Sequence, residues 1–114
     1  MATIYHNPRC SKSRQTLELL KLNGVEPQVI LYLEDTLNKA TLIRLIDQLG
    51  ITAEQLVRKK EADFKDNFSS KELTQEGYIE AMLSYPKLIE RPIVVIGERA
   101  VLGRPPENVL DLLA

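Results

Sequence analysis

Cys10 is the only cysteine in the chain, with Arg9 before it and Ser11-Lys12-Ser13-Arg14 after it. The thiolate is the nucleophilic form of cysteine, and nearby positive charge lowers the pKa at which it forms. Cys10 also follows Asn7-Pro8, a turn-forming pair, and precedes a stretch with helical character from Ser11. A thiol at such a strand-to-helix junction sits beside unpaired backbone N–H groups and the positive end of the helix dipole. Those groups favour the thiolate and can hold an anion in front of it. A solitary cysteine is ordinarily a buried apolar side chain. Core cysteines, however, lie within apolar runs, and the basic and hydroxylic flanks of Cys10 suit a reactive thiol better.

Other chemistries find little support. One histidine, His6, stands four residues before Cys10 across a proline, and that pair makes no metal site. By itself His6 reads as a surface residue at a strand end. There is neither a P-loop nor a Gly-x-Gly-x-x-Gly fingerprint, so no nucleotide cofactor is expected. A net charge of −1 gives no electrostatic case for nucleic acid or a membrane surface as partner. One cysteine excludes an intramolecular disulfide. No basic-then-apolar leader is visible, and no apolar run approaches the roughly 20 residues of a membrane helix. The cytoplasm is the expected location, and a monomer the expected form. With 114 residues, 44% of them hydrophobic, residues 1–114 are expected to form one domain around a single core.

The elements that must position the thiol follow from the pattern. Thr3-Ile4-Tyr5 predicts a short strand, and Ser11 to Asn23 a helix with Leu17 and Leu20 on one face, closed by Asn23-Gly24. Gln28 to Leu33 is a nearly continuous apolar run, which predicts a strand buried on both faces. Strand, helix and strand in this span make a βαβ unit. Helices are then predicted over Thr41 to Leu49, ended by Gly50, and over Ala53 to about Val57. The polar stretch Glu61 to Lys71 carries Phe64 and Phe68 at helical spacing. A further helix from Thr74 to about Ser84 stops before Pro86. Pro92 to Ile96, a turn at Gly97-Glu98, and Arg99 to Leu102 predict a tight hairpin. Pro105-Pro106 then opens a last helix through Leu113. A βαβ half and a ββα half joined by helices predict an α/β fold, with a mixed four-stranded sheet flanked by helices on both faces. Cys10, in the first βα turn, would lie at a strand's carboxyl end, where open sheets place ligands.

His6-Asn7-Pro8-Arg9-Cys10-Ser11-Lys12-Ser13-Arg14 resembles the His-Asn-Pro-x-Cys-x-x-Ser-Arg signature of the glutaredoxin-linked arsenate reductases, the ArsC family. Leu31-Tyr32-Leu33-Glu34, Leu56-Val57-Arg58-Lys59, Glu90-Arg91-Pro92-Ile93-Val94-Val95 and Gly103-Arg104-Pro105 are similar to later blocks of that family. The resemblance runs from about Thr3 to about Leu113 and implies a thioredoxin-like fold. It implies that Cys10 attacks the arsenic of bound arsenate. Arg58, Arg91 and Arg104 match the arginines that surround the oxyanion, and His6 and Ser13 match positions that tune the thiolate. Pro92 matches a proline with a cis peptide bond, an uncommon geometry.

Guanidinium forks suit a tetrahedral oxyanion independently of the resemblance. Arg91 before the hairpin and Arg104 after it are expected near one another. Arg58 is followed by Lys59-Lys60, and without the resemblance would read as a solvated charge at a helix end.

Ser13 stands where a Cys-x-x-Cys pair would place its second thiol, so the electrons must come from outside. The resemblance implies glutathione as co-substrate and glutaredoxin as the partner that resolves the mixed species by thiol–disulfide exchange, with no tightly bound cofactor. The second arsenate reductase type, with Cys-x5-Arg, does not fit, because the sixth position after Cys10 is Thr16. The basic run Arg9-Cys10-Ser11-Lys12 and a last residue at Ala114 resemble a shorter housekeeping branch, in which arsenate need not be the physiological substrate. The expected function is arsenate reduction. The alternatives are a glutathione-linked thiol oxidoreductase on other substrates and a non-catalytic regulatory or protein-binding module.

Overall fold

In chain order the elements are β1 (Ala2–Tyr5), α1 (Ser11–Leu22), β2 (Gln28–Ile30), α2 (Lys39–Leu49), α3 (Ala53–Leu56), α4 (Ala62–Phe68), α5 (Gln75–Ser84), β3 (Ile93–Ile96), β4 (Arg99–Leu102) and α6 (Leu110–Leu113). Short 3-10 turns at Pro86–Leu88 and Pro106–Val109 precede β3 and α6 respectively. This computed structural model describes residues 1–68 and 73–113. They fall into two compact units, Met1–Asp35 with Arg91–Ala114, and Thr36–Glu90.

The first unit holds the sheet, in the order β2-β1-β3-β4. β1 runs parallel to β2 and antiparallel to β3, and β3 and β4 form the hairpin. Ile4 pairs with Val94 and Val94 with Val101, so these side chains share one face of the sheet. There Ile4 and Val94 join Leu20 of α1, Val109 and Leu112 in a buried cluster. Burying such side chains away from water contributes about 1.5–3 kcal/mol each. The helix stops where its sequence says it should. Gly24 takes φ +79°, its N–H donates to Lys21 O at 3.0 Å, and Val25 N–H donates to Leu20 O at 2.9 Å. Val25 then packs against the same cluster, which completes the glycine-closed end.

Two sequence expectations change here. The run Gln28 to Leu33 is not a strand buried on both faces. β2 ends at Ile30, lies at the sheet edge with β1 as its only neighbour among the described residues, and leaves Gln28 and Val29 exposed. The chain then turns, with Leu31 O accepting from Glu34 N–H at 3.0 Å and Asp35 N–H at 2.8 Å. Hydrophobicity in that run serves Tyr32 instead, which is buried. The last helix also begins later than expected. The Arg104–Pro105 peptide is cis, and the helical turn starts at Pro106.

The second unit is helical. Asn38 caps α2 by accepting from Thr41 N–H at 2.8 Å, and Gly50 closes it at φ +69°. Thr52 and Gln55 form a reciprocal capping box on α3, and Thr74 caps α5. α5 packs against α2, α3 and the Pro86–Leu88 turn. α4 supplies the expected helical turn at Phe64 and Phe68, whose rings lie 5.8 Å apart; residues 69–71 of that expected stretch lie outside the described residues. A Val57–Ile89 bridge, with Arg58 N–H on Leu88 O at 2.7 Å and Glu90 N–H on Leu56 O at 2.8 Å, sets Arg58 beside Leu88 to Glu90 within this unit.

Candidate functional site

Cys10 is the N-cap residue of α1, with extended backbone at φ −93° and ψ 123°. Its own N–H donates to Asn7 O at 3.0 Å, and Arg14 N–H donates to Cys10 O at 3.0 Å. The turn before it is braced as well. Arg9 N–H donates to Asn7 Oδ1 at 3.0 Å, and Arg14 Nη1 donates to Pro8 O at 2.8 Å. Asn7-Pro8 thus gives a fixed turn, and the helix that follows presents its first N–H groups to the thiol.

Burial pushes the Cys10 thiol up, and four influences together outweigh it and bring it below the usual value. They are the backbone N–H of Ser13, the Arg91 charge, a hydrogen bond from the Arg91 side chain, and the backbone N–H of Lys12. The direction matches a thiol at a helix N-terminus. The source of the charge does not match the sequence reading: Arg91 supplies it, brought from the far end of the chain, rather than Arg9, Lys12 or Arg14. Arg104 Nη1 lies 3.9 Å from Cys10 Sγ and donates to Arg91 O at 3.3 Å. Two guanidinium groups therefore flank the sulfur.

His6 is buried, not a surface residue at the strand end. Its Nδ1 is 2.6 Å from Ser13 Oγ, which also accepts Asn7 N–H at 3.0 Å. Burial holds the imidazole below its ordinary pKa, and the charges of Arg14 and Lys21 add to the effect. Both effects favour the uncharged ring. Ser13 thus reaches the site in two ways, its side chain fixing His6 and the turn while its N–H favours the thiolate.

The Arg91–Pro92 peptide is cis. Pro92 O accepts from Gly103 N–H at 3.0 Å, and Thr16 Oγ1 donates to Lys12 O at 2.7 Å and approaches Gly103 O at 3.3 Å. A Cβ on Gly103 would sit 2.5 Å from Thr16 Oγ1 and 2.8 Å from Pro92 Cγ. Only glycine fits between α1 and the cis-proline, and this close contact sets where Arg104 begins. Sequence reasoning missed Gly103 and Thr16 as positioning residues; the glycine directly before Arg104 was the available signal.

The first unit therefore brings together Cys10, His6, Ser13, Arg91, Pro92 and Arg104. Arg58 belongs to the second unit. There its guanidinium pairs with Glu61 at 3.0 Å and Glu90 at 3.8 Å, and donates to Lys87 O at 3.3 Å. Glu61 and Glu90 were not singled out in the sequence, where nothing but proximity to arginines distinguished them. Among the described residues no group of three or more His, Cys, Asp or Glu side chains could hold a metal ion. No helix among them is long and apolar enough to cross a membrane.

A tuned thiol flanked by two arginines at a helix N-terminus can attack an electron-poor centre while its oxyanion ligands are held. Known proteins share this frame. The profile of the ArsC family matches residues 5–112. The uncharacterized protein YfgD of Escherichia coli strain K12 is 54% identical, over 96% of this chain and 94% of its own length. An arsenate reductase of Haemophilus influenzae is 43% identical, over 96% of this chain and 97% of its own. The solved structure of an arsenate reductase from Vibrio cholerae superposes with a TM-score of 0.91 at 48% identity, covering 96% of this chain and 95% of that one. The fold is thioredoxin-like.

Proposed function

The chain belongs to the ArsC family, and on that premise we propose that it reduces arsenate to arsenite through a Cys10 thiolate adduct, with glutathione and glutaredoxin as the external reductants. The observation that carries this reading is the placement of Cys10 at the start of α1 with Arg91 and Arg104 beside its sulfur.

The steps follow from valence. The Cys10 thiolate attacks arsenic, an As–S bond forms, and one oxygen leaves as water. A glutathione thiol adds in the same way and releases a second water, so arsenic(V) then carries two sulfurs. A glutaredoxin thiol attacks the glutathione sulfur; the S–As bond breaks and its electron pair stays on arsenic, which becomes arsenic(III). The new disulfide joins glutathione to glutaredoxin. Water then displaces arsenite from Cys10 and restores the thiol. Two thiols are oxidised to one disulfide for each arsenate reduced.

Arg91 and Arg104 act as oxyanion holders in this scheme, neutralising charge on the arsenate oxygens as the thiolate approaches. Arg58, tied to Glu61 and Glu90, is the third guanidinium that the family resemblance assigns to the anion. His6 and Ser13 orient the turn and the helix start rather than touching arsenic. Cys10 supplies one thiol, and the missing second cysteine is why the reductant must be a separate molecule.

The test is consumption of NADPH with arsenate, glutathione, glutaredoxin and glutathione reductase, wild type against Cys10→Ser. Arsenate-dependent consumption that vanishes in the variant supports the reaction and its nucleophile. No consumption by folded wild-type protein overturns it and directs attention to mixed disulfides as substrates.

A further inference from the structure

We propose that a groove at the carboxyl ends of β1 and β2 is the binding site for glutathione, a ligand whose role rests on the reading above. The two strands are parallel, so the segments that leave them emerge at the same end. His6 N–H donates to Ile30 O at 2.8 Å and extends the ladder by one residue. Beyond that bond the chains separate, and a cavity of about 330 Å³ opens between residues 6–9 and Leu31, Leu33 and Glu34. Its position is the crevice where open α/β sheets bind ligands, and its size lies at the lower end of the ~300–1,000 Å³ usual for small-molecule sites.

The lining fits a short zwitterionic peptide. Pro8, Leu31 and Leu33 give apolar walls, and Arg9 and Glu34 stand on the rim with opposite charges. Both rim residues are exposed, and neither makes an ion pair among the described residues. Glutathione carries two carboxylates and one ammonium around its thiol-bearing centre. Arg9 suits a carboxylate and Glu34 suits the γ-glutamyl ammonium. One wall is preorganised by the bonds that brace the turn, Arg9 N–H on Asn7 Oδ1 and Arg14 Nη1 on Pro8 O. That same turn ends at Cys10, whose N–H is held by Asn7 O. A tripeptide lying here is bound by the loop that carries the nucleophile, which leaves the two arginines for the oxyanion.

The probe is S-methylglutathione, which keeps every charge of glutathione but cannot donate a thiol. Titrated into isotope-labelled protein, it is expected to shift the amide signals of residues 6, 7 and 9 and of 31–34. Glu34→Gln is expected to weaken its binding up to about fivefold, the loss of one exposed charge pair. Leu33→Asp, which sets a negative charge against a net-negative ligand, is expected to weaken it as well. In the coupled assay both variants should raise the KM for glutathione and leave the KM for arsenate unchanged. Shifts confined to residues around Pro92, or affinities unaltered in both variants, would overturn the assignment. Active variants with an unchanged glutathione KM would overturn it too. Should the wild type fail to reduce arsenate, the function above falls, while S-methylglutathione shifts in the groove still support this site.

Discussion

Arg104 Nη1 lies 3.9 Å from Cys10 Sγ and 3.3 Å from Arg91 O, so one guanidinium joins the nucleophile to the carbonyl just before the cis-proline. Arg91 in turn adds its charge and a side-chain hydrogen bond to the backbone N–H groups of Ser13 and Lys12 that lower the thiol's pKa. The two arginines therefore divide their work. Arg91→Gln is expected to raise the thiol pKa, and Arg104→Gln to act more on anion binding. Loss of either charged donor pair from an oxyanion is expected to raise the arsenate KM about tenfold or more, since charge-assisted bonds contribute ~1.5–3 kcal/mol. Steady-state kinetics beside the pH profile of alkylation separates the two effects. Equal pKa shifts in both variants would count against the division.

The Cys10 thiol should titrate below the free value of about 8.5. Iodoacetamide alkylation measured across pH gives this directly, and an unshifted profile would remove the tuned thiolate. The same shift has a stability signature. An acid whose folded pKa is depressed contributes its stability fully above the unfolded pKa and loses it as pH falls through the folded pKa. Wild-type stability should therefore rise with pH between the folded value and about 8.5–9. Cys10→Ala should flatten that rise in denaturant titrations.

Ser13→Ala removes the acceptor of Asn7 N–H and the partner of His6 Nδ1. It is expected to cost about 1–3 kcal/mol, the usual penalty for stranding buried polar groups. The thiol pKa should move less than in Arg91→Gln, because the residue-13 N–H remains. His6 adds a pH effect of its own. Its folded pKa is lowered, so the unfolded chain binds the extra proton first, and stability should fall as pH drops below about 6.5. His6→Gln should weaken that acid-side loss in thermal melts.

Gly103→Ala is expected to destabilise the fold by about 1–3 kcal/mol, the cost of overpacking, because its Cβ would meet Thr16 and Pro92 at 2.5 and 2.8 Å. Combining it with Thr16→Ser, which removes the methyl and keeps the hydroxyl, should recover part of the loss in melting temperature. A neutral Gly103→Ala would mean that the contact is looser than its distances say.

Local signals carried much of this structure. Asn23-Gly24, Gly50, Thr52, Thr74 and Gly97 mark element ends, and their chemistry is written in one or two neighbouring residues. The placement of Cys10 at a strand-to-helix junction was legible for the same reason. What could not be read was long-range. Gln28 to Leu33 looked like a central strand because an apolar run says nothing of how many neighbours it has. His6 looked exposed because its partner, Ser13, becomes a partner only after the turn closes. The thiol's charge environment was assigned to Arg9, Lys12 and Arg14 by adjacency, whereas the fold supplies Arg91. Arg58 was matched to the anion by the family resemblance, and no sequence feature announced its ties to Glu61 and Glu90.

The first unit is built from two stretches, with Thr36–Glu90 threaded between them. During synthesis the nucleophile is made early and its two flanking arginines late. The parallel partner of β1, β2, is translated soon after it, yet its antiparallel partner β3 is not translated until the whole intervening segment is out. At ~5–20 residues per second, the interval lasts seconds. Throughout it Cys10 exists without Arg91 or Arg104, so a nascent chain carries the thiol and its helix N–H groups but not the guanidinium that lowers its pKa further. That part of the tuning, and the pair of oxyanion donors, arrive only with the last strands.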